Sequence, residues 1–206
     1  MRYSKETLEL IDAPLNEITY TVFDTESTGT NPEGGDRVIE LGAVRIKPGF
    51  RIDRKEKFQS LIDPGVDIPE RSVGIHGITQ QDISGAPDSC SVLYDFFDFA
   101  RGTVLVAHDA PKDMAFLRRE MRDYSIRNPF EISIDTLKLS RMLYPHWKSH
   151  NLDAINEQFN FKSSTRFSRH RALFDAESTA NAFRIMIRKV FEERCYFLGE
   201  LTEFLR

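Results

Sequence analysis

Within Phe23-Asp24-Thr25-Glu26-Ser27-Thr28-Gly29, the carboxylates of Asp24 and Glu26 stand two positions apart. On an extended strand such positions project from one face. Two acids side by side repel, and burying them is costly unless a cation neutralises the pair. Hard oxygen donors on one face suit Mg²⁺ or Mn²⁺. A strand that leaves the core with both acids in solvent satisfies the same pattern.

Two further segments carry related groups. Val106-Ala107-His108-Asp109-Ala110-Pro111-Lys112-Asp113 runs from an apolar stretch into a helix, a kind of junction where α/β proteins place reactive groups. Asp113 falls in the first helical turn, as a site acid or as a complement to the helix dipole. His108 reads more simply as a core histidine bonded to backbone. The third segment is His170-Arg171-Ala172-Leu173-Phe174-Asp175-Ala176. Positions five apart on a helix differ by roughly 140° in direction. His170 and Asp175 therefore share a site only if His170 lies on a loop before the helix. Otherwise they are a capping histidine and a solvated aspartate.

The elements that must position these groups follow from the hydrophobic pattern. Residues 18–26 (ITYTVFDTE) read as a buried strand, 27–36 as a turn-rich loop, and 37–46 and 56–62 as two more strands of a meander. Residues 62–79 read as an irregular connection. A helix carries Val92, Leu93, Phe96 and Phe97, and 103–108 is a strand buried on both faces. Pro111 suits the first turn of the next helix. Residues 131–134 form a last strand before a helix near Asp135–Thr136. A long helix from about Ala172 carries Ala176, Ala180, Phe183, Ile187 and Val190. Strands followed by alternating strands and helices make one α/β domain with a mixed sheet. Residues 1–17 are a short preface, and 18–206 are the single domain.

Composition sets the outer limits. The 206 residues are 40% hydrophobic and 29% charged, with sixteen Phe, a globular balance with ample apolar area for a core. No apolar run approaches the ~18–20 residues of a membrane span, and MRYSKETLEL lacks a signal-peptide core. A cytoplasmic protein without a membrane partner is expected. Cys90 and Cys195 have neither metal nor redox spacing and read as buried thiols. No GxGxxG or GxxxxGK[ST] is present. The net charge of −4 alone argues mildly against a nucleic-acid partner.

The motifs point the other way. FDTESTG, VAHDAPKDMAFL and HRALFDA resemble the three motifs of the DEDDh 3′–5′ exonucleases, a family that includes the proofreading epsilon subunit of bacterial replicative DNA polymerase. VIELGAVRI, the GIHGIT loop and SHNLDAI are similar too, so the resemblance covers about residues 18–190. It implies a ribonuclease H-like fold, with a mixed five-stranded central sheet flanked by helices. It also implies hydrolysis of 3′-terminal phosphodiesters to nucleoside monophosphates with two divalent ions, Mg²⁺ or Mn²⁺. By that resemblance Asp24 bridges both ions, Glu26 and Asp175 complete the tighter site, Asp113 holds the second through water, and His170 is the general base.

Substrate contacts are expected from Ser27, Thr28, Gly29, His76 and Gly77. The segment 162–171 holds Lys162, Arg166, Arg169 and Arg171 and no acid, a basic loop suited to phosphate, with Arg166 as the named contact. The family's second motif usually reads His-Asn-x-x-Phe-Asp. Here Asp109 replaces the Asn and Lys112 the aromatic, and the two are expected to form a compensating pair near substrate. The implied partner is DNA with a single-stranded or frayed 3′ end. RNA is the rival substrate, as for relatives resembling RNase T or oligoribonuclease. An inactive binding module and a small-molecule phosphoesterase are the other readings. A DNA polymerase subunit and a second copy of the chain are candidate partners.

Overall fold

The computed structural model describes residues 3–161 and 170–205. Five strands form one sheet: β1 (Tyr20–Ser27), β2 (Val38–Lys47), β3 (Arg51–Leu61), β4 (Val104–Ala107) and β5 (Ser133–Asp135). Their order is β3-β2-β1-β4-β5. The first three make the expected antiparallel meander, while β4 and β5 run parallel to β1. The eight helices among the described residues are α1 (Lys5–Ile11), α2 (Glu70–His76), α3 (Ser89–Ala100), α4 (Ala110–Asp123), α5 (Thr136–Leu143), α6 (Leu152–Gln158), α7 (Ala172–Glu192) and α8 (Leu198–Phe204).

Alternation along β1 builds the two layers. Tyr20 and Val22 face one core with Phe183, Met186 and Ile187 of α7, and Tyr20 stacks edge-on against Phe183 at 5.1 Å. Phe23 faces the opposite core with Phe96 of α3 and Met114 and Leu117 of α4. All four residues of β4 are buried, as its unbroken apolar run requires.

The structure departs from the sequence reading in four places. Strand β3 begins at Arg51 because Gly49 and Phe50, both at positive φ, turn the chain tightly after β2. The connection 62–79 contains α2, which ends where Gly77 adopts φ 73°. The residues leading into β1 are joined to the core: Leu15 and Ile18 are buried, and Leu15 N and Leu198 N donate to the carbonyls of Tyr196 and Ala13. Cys90 and Cys195 are free thiols, but half-buried. Among the described residues no helix is long and apolar enough to cross a membrane.

Candidate active site

The period of two that sends Val22 into the α7 core points Asp24 and Glu26 toward the same helix. Directly across the β1–β2 ladder, Asp24 is paired with Gly42 and Glu26 with Glu40. A Cβ on Gly42 would lie 2.1 Å from Leu173 N and 2.4 Å from Ala172 C. The missing side chain therefore lets the first turn of α7 rest on the sheet beside the two acids. A glycine inside a strand pattern signals this kind of close approach.

Asp175 lies in that first turn. His170 sits just before the helix at φ 56°, exposed, the loop placement that joint use with Asp175 demands. Glu26, His170 and Asp175 each offer a ligand atom, all within 4.8 Å of one another. Asp113 arrives from the other layer. The chain turns at Asp109 (φ 60°), Pro111 begins α4, and Asp113 occupies its first turn. There its Oδ1 accepts from Thr25 N at 3.1 Å and Thr25 Oγ1 at 2.7 Å.

The electrostatics bind the four acids into one cluster. Burial, then the charges of Asp113, Glu26 and Asp175, hold the Asp24 carboxyl well above the usual range. Burial and the charges of Asp175 and Glu40 push Glu26 up to about 8. Burial raises Asp113 to about 7, although the bonds from Thr25 oppose the shift. Such a cluster retains protons until a cation arrives. Its oxygen-rich donors with one imidazole fit a small divalent ion. This site is therefore a candidate metal centre.

The remaining predicted positions divide. Ser27, Gly29, Asp109 and Lys112 line a cleft of about 900 Å³ together with Asp24 and Asp113. The close neighbour of Gly29 is the Asp36 carboxylate, which a Cβ there would meet at 2.3 Å. Lys112 Nζ lies 2.7 Å from Asp109 Oδ2, so the two unusual residues of the second motif do touch. Thr28 is buried, its hydroxyl accepting from Arg37 N at 2.9 Å. His76 is also buried, its Nδ1 accepting from Ile78 N at 3.0 Å. Neither lines the cleft, and Gly77 serves as the C-cap of α2. Arg166, with Lys162 and Arg169, lies outside the described residues. Arg171 is not a free phosphate ligand: its guanidinium bonds Glu40, with Nη2 at 2.7 Å from Oε1.

Several residues, or their partners, are not marked by any motif. Thr25 follows Phe23 by two and so faces α4, which places it to hold Asp113. His108 bonds the Thr136 hydroxyl at 3.0 Å rather than backbone, and it lines the cleft. Arg141, Lys148 and His150 also line the cleft, although no motif marks them. Glu40 is a charge inside the apolar run VIELGAV, an anomaly that was itself the signal.

A mixed five-stranded sheet flanked by helices, with acids and a histidine converging at one end of its central strand, defines the fold as ribonuclease H-like. The family model described as "Exonuclease" matches residues 21–183. The chain belongs to this exonuclease family. It is 41% identical over 175 residues to a "DNA polymerase III subunit epsilon-like protein" of Rhodobacter capsulatus, an alignment covering 84% of this chain and 24% of the relative. The chain thus spans about a quarter of that relative's length.

Solved structures agree on the fold. The nuclease domain of 3′hExo, a DEDDh family member bound to rAMP, has TM-score 0.72 at 19% identity, covering 87% of this chain and 94% of that one. E. coli exonuclease I in complex with a dT13 oligonucleotide has TM-score 0.72 at 18% identity, covering 85% and 43%.

Proposed function

We propose that the protein is a metal-dependent 3′–5′ exonuclease that removes nucleoside 5′-monophosphates from the 3′ end of DNA in a proofreading-like reaction. The observation that carries this reading is the convergence of Asp24, Glu26, Asp113 and Asp175 with His170 at one end of β1, in a chain of the exonuclease family. A cleft lined by Lys112, Arg141 and Lys148 as well as the acids suits the phosphates of a single-stranded or frayed 3′ end. The relative's name, a polymerase epsilon-like subunit, supports DNA over RNA and a polymerase as partner.

Asp24, Glu26 and Asp175 would hold one divalent ion, and Asp24 with Asp113 a second. When bound, two such ions stabilise the attacking and leaving oxygens of an in-line displacement. Asp24 is central because the other three acids all act on its charge. Thr25 fixes the carboxylate of Asp113 through two hydrogen bonds to Oδ1. His170, exposed beside Glu26 and Asp175, would take the proton of the attacking water. Its loop position allows the ring to approach as the 3′ end enters.

The test uses 5′-labelled single-stranded DNA, duplex DNA with a mismatched 3′ terminus, and RNA of the same sequence, each with Mg²⁺ or Mn²⁺. A ladder shortening from the 3′ end, fastest on frayed DNA and abolished by chelation, is expected. A ladder of equal rate without divalent ion, or none on any substrate, overturns the proposal. Faster cleavage of RNA replaces the DNA reading with the RNA-directed one.

A further inference from the structure

Glu40 has no solvent exposure, yet it is charged and sits in β2 directly opposite Glu26. Its carboxylate ties three chain segments together. Oε1 accepts from Arg171 Nη2 at 2.7 Å and from Gln59 Nε2 of β3 at 2.8 Å. Oε2 accepts from Arg171 Nε at 3.0 Å and from Ala172 N at 3.0 Å. Ala172 is the first residue of α7, and the side chain of its N-cap residue, Arg171, makes no capping bond to the helix. A strand carboxylate thus supplies the cap that the helix's own sequence omits. The residue it grips, Arg171, is the neighbour of His170.

This arrangement has two effects. It fixes the entry to α7, and with it His170 and Asp175, relative to Glu26. It also occupies a guanidinium that stands near enough to Glu26 for their charges to interact. An arginine released from Glu40 would compete with a divalent ion for the Glu26 carboxylate.

Resting on the exonuclease reading, we infer that Glu40 is a positioning residue. It sets His170 and Asp175 against Glu26 through its bonds to Arg171 and Ala172, and it keeps the Arg171 guanidinium off the metal-binding acids. Residues that orient metal ligands typically cost about 10–100-fold in metal affinity or activity when changed.

The experiment measures Mn²⁺ affinity of the full chain by the electron paramagnetic resonance of free Mn²⁺, beside steady-state cleavage of labelled single-stranded DNA. Glu40→Gln keeps the shape and an acceptor for Ala172 N but loses the charge. It is expected to bind Mn²⁺ about tenfold more weakly and to lose about 10–100-fold in kcat, with KM for DNA nearly unchanged. Adding Arg171→Gln to that variant removes the competitor. Mn²⁺ affinity should then recover to near the parental value while kcat stays low.

Parental Mn²⁺ affinity in Glu40→Gln, or no recovery in the double variant, overturns the inference. If Glu40→Gln does not fold, Arg171→Lys takes its place. A lysine cannot bridge both oxygens of Glu40, and parental affinity and kcat in that variant are equally fatal. An unsubstituted chain that binds Mn²⁺ but leaves every nucleic acid intact defeats the exonuclease reading alone, and the metal titrations still judge Glu40. If that chain binds no Mn²⁺, both fall.

Discussion

At the scale of single residues, Asp24 is where stability and activity oppose each other. Its carboxylate is half-buried among other acids and held well above its usual pKa. Asp24→Asn should remove turnover beyond detection while raising metal-free stability by about 1 kcal/mol, the kind of gain seen when a strained active-site group is relieved. Activity assays and thermal melts in chelator check both halves. His170→Ala should keep Mn²⁺ binding within a few-fold and lower kcat by about 10²–10⁴, the usual contribution of a general base; near-normal turnover defeats that role. The Asp109–Lys112 pair is more modest. With Lys112 79% exposed, their contact is worth at most about 1 kcal/mol. Asp109→Asn and Lys112→Phe, alone and together, should show a small but measurable coupling in the cleavage rate, whereas strict additivity rejects the pair.

At the scale of elements, the contact between α7 and the sheet decides the geometry. Gly42→Ala would put a methyl group against backbone atoms of Ala172 and Leu173, which cannot move aside as a side-chain tip can. Overpacking of this kind costs about 1–3 kcal/mol, and displacing α7 by even 1 Å should lower kcat about 100-fold. A melting curve together with single-turnover cleavage tests this, and Gly42→Ala with parental kcat contradicts it. The elements also show what could be read in advance. β1, β2, β4 and α7 were legible because long apolar patterns with a clear period specify them. α2 and α8 have only seven residues each, too few for a 3.6-residue period to register. The full extent of β3 was hidden because its residues alternate between half-buried and exposed, with few apolar side chains to mark a face. Within the site, residue types announced the acids and His170. Thr25 and Glu40, and the true partners of His108 and Arg171, emerged only from contacts far away in sequence. Thr28 and His76 are buried off the cleft wall, an orientation that a motif position alone does not specify.

At the scale of the whole molecule, the buried acids tie stability to pH. Glu26 at about 8 and Asp113 at about 7 stand far above the ~4 of an unfolded carboxyl. The folded chain holds protons that the unfolded chain has already released. Their stabilising contribution is therefore full below about pH 4 and is lost as pH rises through 7 and 8. Thermal melts in chelator should show a falling midpoint between pH 6 and pH 8.5. Mn²⁺ should raise the midpoint, and more at pH 8 than at pH 6; an equal rise at both contradicts this account. The long-range build of the site has one more consequence. Asp24 and Asp175 stand 151 positions apart, and α7 closes over strands near the other end of the chain. During synthesis, β1 and β2 leave the ribosome long before their partner acid exists. On the exonuclease reading, a half-made chain would be harmless to nucleic acid, because the acid cluster is complete only once α7 docks.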